Sequence, residues 1–286
     1  MHNWICRTCG TQFSDSTAPP EQCPICEDER QYIGYAGQQW TTLEEMNSHA
    51  YRNAYFEHEP NLISIQTVPQ FAIGQQALLL RTPEGNILWD CISYIDEVTV
   101  QLIQGLGGIQ AIAISHPHYY SAMVDWAERF DANIYLHEED REWVMRPSQR
   151  VVFWGGEEVS LTSGVHLVHV GGHFDGAAVL LWSHGAQGKG VLLTGDTIQV
   201  VADRKWVSFM YSYPNQIPLP IPEMTRIQSV LSRLRFDRLY GFGFDRIVRE
   251  GAKDVVLNSI ARYIHALERG TQHGKGEQTG SSLSKS

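Results

Sequence analysis

The stretch ISHPHYYS, residues 114–121, carries two histidines one residue apart directly after an apolar run. In an extended segment residues i and i+2 project to the same side, so His116 and His118 can reach one ion together. Pro117 between them fixes its own backbone and keeps His116 out of the helical region, which favours that shape. Taken alone, the pair is equally well read as two loop histidines with no ligand role. Farther along, His173 stands in the glycine-rich turn HVGGHFDG, and Asp196 (LLTGDTI) and Asp90 (NILWDC) each follow an apolar run. A second group of chemical residues lies near the N-terminus. Cys6-x-x-Cys9 and Cys23-x-x-Cys26 form two turns that can aim four thiolates at one tetrahedral ion, and Gly10 permits the backbone such a knuckle needs. Zinc is the default occupant and iron the alternative. A closed set of four sulfurs leaves no open coordination position, so this module is read as structural or partner-binding.

The elements that must position these residues follow from periodicity. Residues 62–68, 76–82 and 86–92 read as consecutive strands, with TPEGN as a hairpin turn. Residues 96–108 read as a helix ending at glycine, 109–115 as a buried strand, and 119–130 as an amphipathic helix with Met123, Trp126, Ala127 and Phe130 on one face. A strand at 133–136 and a short helix near 138–145 follow, then short strands at 151–153, 157–161, 165–170, 177–183, 190–195 and 197–201. Two further helices, 222–236 and 252–270, flank a strand at 238–242. The first 40 residues are rich in turn formers and too small to fold without a metal. The chain therefore divides into a four-cysteine module (1–40), a main domain (41–270) and a disordered tail (271–286). The proline-rich segment 211–223 is long for a connector and is read either as a lid or as a plain surface crossing.

Bulk composition narrows the function classes. The 286 residues are 43% hydrophobic and 19% charged, which is globular, and no apolar run approaches the ~18 residues of a membrane span. A net charge of −10 opposes general nucleic-acid binding, because phosphates would be repelled. Four of the five cysteines are clustered, and no basic-then-apolar leader opens the chain. A reducing, cytoplasmic location is expected, with a small-molecule substrate, no membrane association, and homo-oligomerisation left open.

The order Asp90, His116-x-His118, Gly-Gly-His173, Gly-Asp196, each at a strand end, resembles the metallo-β-lactamase superfamily over roughly residues 62 to 270. The resemblance implies an α/β fold, an αββα sandwich, here with a small zinc-ribbon or rubredoxin-like N-terminal module. It implies that His116, His118 and His173 hold one metal, that Asp196 is its fourth ligand or the base on its water, and that Asp90 supports the loop. The family's second metal needs three more ligands, and this chain has Tyr120, Ser121 and Phe242 at those places. A mononuclear site of zinc or iron is therefore expected. Tyr120 is a candidate proton donor where relatives use an aspartate, Asp175 a candidate supporting partner, and His137 a candidate at the mouth of the site. Each of the three also has an ordinary reading: a packed ring, a turn residue and a surface histidine. The leading expectation is a hydrolase whose metal-bound hydroxide attacks an ester, thioester, lactone or related bond. The alternatives are a mononuclear iron oxidoreductase of the persulfide-dioxygenase kind, and a degenerate, non-catalytic, partner-binding protein.

Overall fold

The computed structural model describes residues 1–273. Two β-sheets dominate it. The first has seven strands, Arg52–Glu59, Leu62–Val68, Gln76–Leu80, Ile87–Trp89, Ala111–Ala113, Asn133–His137 and Val151–Trp154, hydrogen-bonded in that sequential order. The second has six: Glu158–Thr162, Val165–His169, Ala178–Trp182, Val191–Leu193, Arg238–Tyr240 and Ile247–Val248, also neighbours in chain order.

The period-two pattern of the strands decides which layer each side chain joins. Leu78, Leu80, Ile87, Trp89, Ala111 and Ala113 meet Leu167, Leu180, Trp182, Val191 and Leu193 of the other sheet in one core. Their neighbours in sequence, Leu79, Leu88, Ile112 and Ile114, point the opposite way, onto Val100 and Ile103 of the helix Glu97–Gly105 and Met123, Trp126 and Ala127 of the helix Met123–Phe130. Val179, Leu192 and Leu239 likewise pack on Met224, Ile227 and Leu231 of the helix Ile221–Arg233 and on Val256 and Ile260 of the helix Ala252–His273. The result is the αββα sandwich expected from the sequence.

Four local differences from expectation stand out. The strand Arg52–Glu59 carried no apolar alternation to announce it. It is the outer strand of its sheet, with most side chains exposed, and it is recruited by pairing with Leu62–Val68. The helix expected from Tyr119 begins only at Met123, because Pro117–Tyr119 forms a tight 3-10 turn and Ser121 takes a positive φ of 41°. The last helix extends to His273, three residues past the expected boundary; the rest of the segment read as a tail lies outside the described residues. The segment 211–223 is not plain coil either: Met210–Ser212 pairs with Ile217–Pro218 as a small hairpin before the helix begins.

The cysteine module packs against the sandwich. It closes on itself through the pairing of Ile5–Cys6 with Trp40–Thr41, and it meets the sandwich through Gln12 N–H to the Ser121 carbonyl at 3.0 Å and Ser93 Oγ to the Gly10 carbonyl at 2.7 Å. Gly10 has a φ of +82°, and a Cβ there would lie 2.5 Å from Ser93 Oγ, so both the knuckle and the contact require glycine.

Candidate metal centre

Every candidate ligand of the main domain lies just past the end of a strand. Asp90 follows Ile87–Trp89, His116 and His118 follow Ala111–Ala113, His173 follows Val165–His169, and Asp196 follows Val191–Leu193. The two sheets are joined at this edge by the Ala178 N–H donating to the Ser115 carbonyl at 2.9 Å. Asp90 adopts a φ of +59° and accepts the Ser115 N–H at 2.8 Å, pinning the start of the histidine loop. Its burial raises the carboxyl to about 7, against the opposing effect of that N–H. Gly195 fits tightly here: its φ is +55°, and a Cβ would meet Ser115 Oγ at 2.7 Å.

The structure brings His116, His118, His173 and Asp196 together, all buried, with one ligand atom of each within 4.8 Å of all the others. His118 Nδ1 and His173 Nε2 are 3.3 Å apart, against about 3.3 Å for two nitrogens on one tetrahedral zinc. Asp196 Oδ2 lies 3.7 Å from His118 Nδ1, and Oδ1 lies 4.0 Å from His173 Nε2. His116 Nε2 and Asp196 Oδ1 approach to 2.5 Å, yet neither has an aligned hydrogen-bond partner. Buried polar atoms are costly without partners, and here a donor set of three imidazoles and a carboxylate leaves its lone pairs facing one small space. A divalent cation fits it.

The tautomer of His173 agrees with that reading. His173 Nδ1 donates to the Met210 and Tyr211 carbonyls at 3.1 and 2.9 Å, which leaves its Nε2 lone pair toward the cluster. Burial pushes His173 down to about 3, so the ring is neutral at neutral pH. Burial also lowers His118, with Asp196 only partly opposing it. Burial alone would raise Asp196, but the histidines around it, His116 first, hold its carboxyl well below the usual carboxylate range.

Other residues read from the sequence sit elsewhere. Tyr120 is not brought to the cluster: it packs among core side chains, and its phenol donates to the Asp140 carbonyl at 3.3 Å. His137 stacks on His169, ring centroids 4.0 Å apart, in a separate group with Glu139. Asp175 accepts from His169 Nε2 through its backbone carbonyl at 2.7 Å. Phe242 does stand beside the site, lining a cavity of about 310 Å³ with His118, Asp196, Gln199 and Tyr213. Sequence reasoning missed Tyr213, whose phenol donates to the Asp196 carbonyl at 2.7 Å, and Phe174, whose ring lies 5.0 to 5.5 Å from all three histidine rings. Phe174 is adjacent to His173 in sequence; nothing local marks Tyr213.

The four cysteines form the second centre. Cys6 Sγ is 3.5 Å from Cys26 Sγ, and Cys9 Sγ is 3.6 Å from Cys23 Sγ, with all four sulfurs within 4.8 Å of one another. These separations are too long for disulfides and close to the about 3.8 Å edge of a tetrahedron with 2.3 Å metal–sulfur bonds. Burial pushes the Cys9 thiol up, so a set of four thiolates requires a cation.

A strand-edge cluster of three histidines and an aspartate on an αββα sandwich defines a metallo-β-lactamase fold, and solved structures agree. The chain is similar to VMB-1 (TM-score 0.56, 13% identity, 76% of this chain and 98% of that one). It is similar to the DIM-1 metallo-β-lactamase (0.55, 14%, 77% and 98%) and to a B3 metallo-β-lactamase with an active-site glutamic acid (0.51, 15%, 88% and 100%). No protein-family profile matches the chain. It is 53% identical over 268 residues, 93% of this chain and 97% of the other, to the uncharacterized protein YmaE of Bacillus subtilis (strain 168), and it belongs to the same family as YmaE.

Proposed function

We propose that the chain is a metal-dependent hydrolase working with one ion at His116, His118, His173 and Asp196, on an ester, thioester, lactone or related bond of a small molecule. The observation that carries this reading is the convergence of four buried ligand groups, with His116 Nε2 and Asp196 Oδ1 unpartnered, beside a cavity lined by His118 and Asp196 and large enough for a small acyl group. A divalent cation held there would polarise a carbonyl and lower the pKa of water toward about 7. The chain supplies the rest. His173 is kept neutral and aimed by its Nδ1–H bonds. The ionised Asp196 carboxylate supplies an acceptor for a proton leaving water. Phe242, Tyr213, Pro214 and Ile73 give the cavity apolar edges that displace bulk water from the reacting bond.

Among the described residues, side chains of ligand type converge at three places, and none of the three is a second set beside the histidine site. This supports a single-ion mechanism, with less weight on phosphoryl transfer, which a second ion would serve. The test is metal analysis of the purified chain together with an ester, thioester and lactone panel. Wild type is expected to hydrolyse at least one class, and His118→Ala to lose both the ion and the activity. No turnover on any class by a metal-replete protein would overturn the reading.

One observation favours a second reading, a mononuclear iron oxidoreductase. The Gln75 side-chain amide donates to the Cys9 carbonyl at 2.6 Å and to the His118 carbonyl at 2.9 Å, so a single residue ties the two metal-type centres. Iron in the histidine site with oxygen uptake on a thiol substrate would establish it. The clustered reduced cysteines also fit a cytoplasmic protein, and no helix among the described residues is long and apolar enough to cross a membrane.

A further inference from the structure

The cysteine module reaches the histidine site through one side chain. Arg30 lies four residues past Cys26, and its Nε and Nη2 donate to Asp28 Oδ1 and Oδ2 at 2.6 and 2.9 Å. This two-pronged bond fixes the plane of the guanidinium. The plane lies over Phe174 with Cζ 3.9 Å from the ring centroid, and Nη1 reaches the His173 carbonyl at 3.4 Å. Phe174 in turn packs against the rings of His116, His118 and His173. The neighbouring residue reinforces the link. The Glu29 carbonyl accepts Asn215 Nδ2 at 2.8 Å and also the Ser212 hydroxyl. That loop supplies the Met210 and Tyr211 carbonyls that receive His173 Nδ1, and Tyr213, which holds the Asp196 backbone. His173 is thus held on two sides by a short piece of the cysteine module.

We propose that Arg30 is a positioning residue for the histidine site: clamped by Asp28, it presses Phe174 and the His173 backbone into place, so the cysteine module sets how tightly that site holds its ion. The proposal rests on the metal-site part of the reading above and not on hydrolysis. Outer partners of metal ligands commonly change metal affinity by about 10- to 100-fold, which gives the size of effect to look for.

The experiment is a cobalt(II) titration of the full chain, with the histidine centre read once the cysteine centre is filled and its module folded. Thiolate-to-cobalt charge-transfer absorption reports the cysteine centre, and the weaker visible absorption that still grows after the charge-transfer absorption has saturated reports the histidine centre. Arg30→Ala is expected to leave the thiolate titration as in wild type and to weaken cobalt binding at the histidine centre by about 10- to 100-fold. Arg30→Lys, which cannot form the two-pronged bond, is expected to show most of the same loss. Asp28→Asn is expected to give a smaller loss in the same direction. Wild-type affinity at the histidine centre in Arg30→Ala would overturn the proposal, and so would equal loss at both centres, which would make Arg30 a strut of the module alone. Wild type that binds no cobalt at the histidine centre would instead sink the metal reading itself. Wild type that binds cobalt there but hydrolyses nothing would sink only the hydrolase reading.

Discussion

The two metal-type centres differ in what surrounds them. The four cysteines come from two adjacent turns within 21 residues and are enclosed by Phe13, Ile25 and Trp40. The three histidines and Asp196 come from loops spread over 81 residues, and one side of their cluster opens into a cavity. A local, closed, four-sulfur set can exchange its binding energy only for folding. A dispersed set on a finished scaffold can leave a face free for a substrate, because the scaffold and not the ion holds the ligands in place.

The largest effect should come from the closed centre. Replacing two of its ligands, Cys23→Ser with Cys26→Ser, forfeits most of an apparent metal-binding free energy of about 10 kcal/mol or more. Proteolysis is expected to cut within residues 1–40 of the double variant while the sandwich stays folded; resistance equal to wild type would break the contrast.

Glu59 provides a comparison remote from both centres. It is buried, accepts Arg238 Nη1 at 2.9 Å and the Tyr240 phenol at 2.7 Å on Oε1, and takes the Ala186 N–H on Oε2 at 3.0 Å. Glu59→Ala leaves the half-buried Arg238, the buried Tyr240 phenol and the Ala186 N–H without their acceptor and should cost about 3 kcal/mol in urea unfolding, with the metal content of both centres unchanged. Loss of either ion would show that the ligand scaffold depends on the strand edge as much as on its own loops.

Asp90→Asn sharpens the open side. The side chain still accepts the Ser115 N–H but can no longer ionise beside the cluster, so metal affinity or activity should fall by about 10- to 100-fold with little change in unfolding. The smallest effect is expected at Thr42, which caps the helix Leu43–Ser48 by accepting the Glu45 N–H at 3.2 Å. Thr42→Ala should cost about 1 kcal/mol and leave both centres loaded.

Much of the architecture was legible because the strand alternation that separates Leu78 and Leu80 from Leu79 is a local property of the chain. The edge strand Arg52–Glu59 was not, because its partner supplies the reason for it to be extended. The cysteine set was fully legible: short spacing dictates which sulfurs can meet. His116 and His118 were legible as a pair, and their union with His173 and Asp196 came through resemblance. What no local pattern carried is the placement of Arg30 and Tyr213 behind the cluster, and the turning of Tyr120 away toward Asp140. The amino-acid order by itself determined which side chains can ligate and which face of each strand is apolar, since both are set by residue type and near spacing. Only the tertiary structure decided which ends of distant strands share an edge, and so which arginine, phenol and ring stand behind the ligands, because those contacts depend on the packing of whole layers.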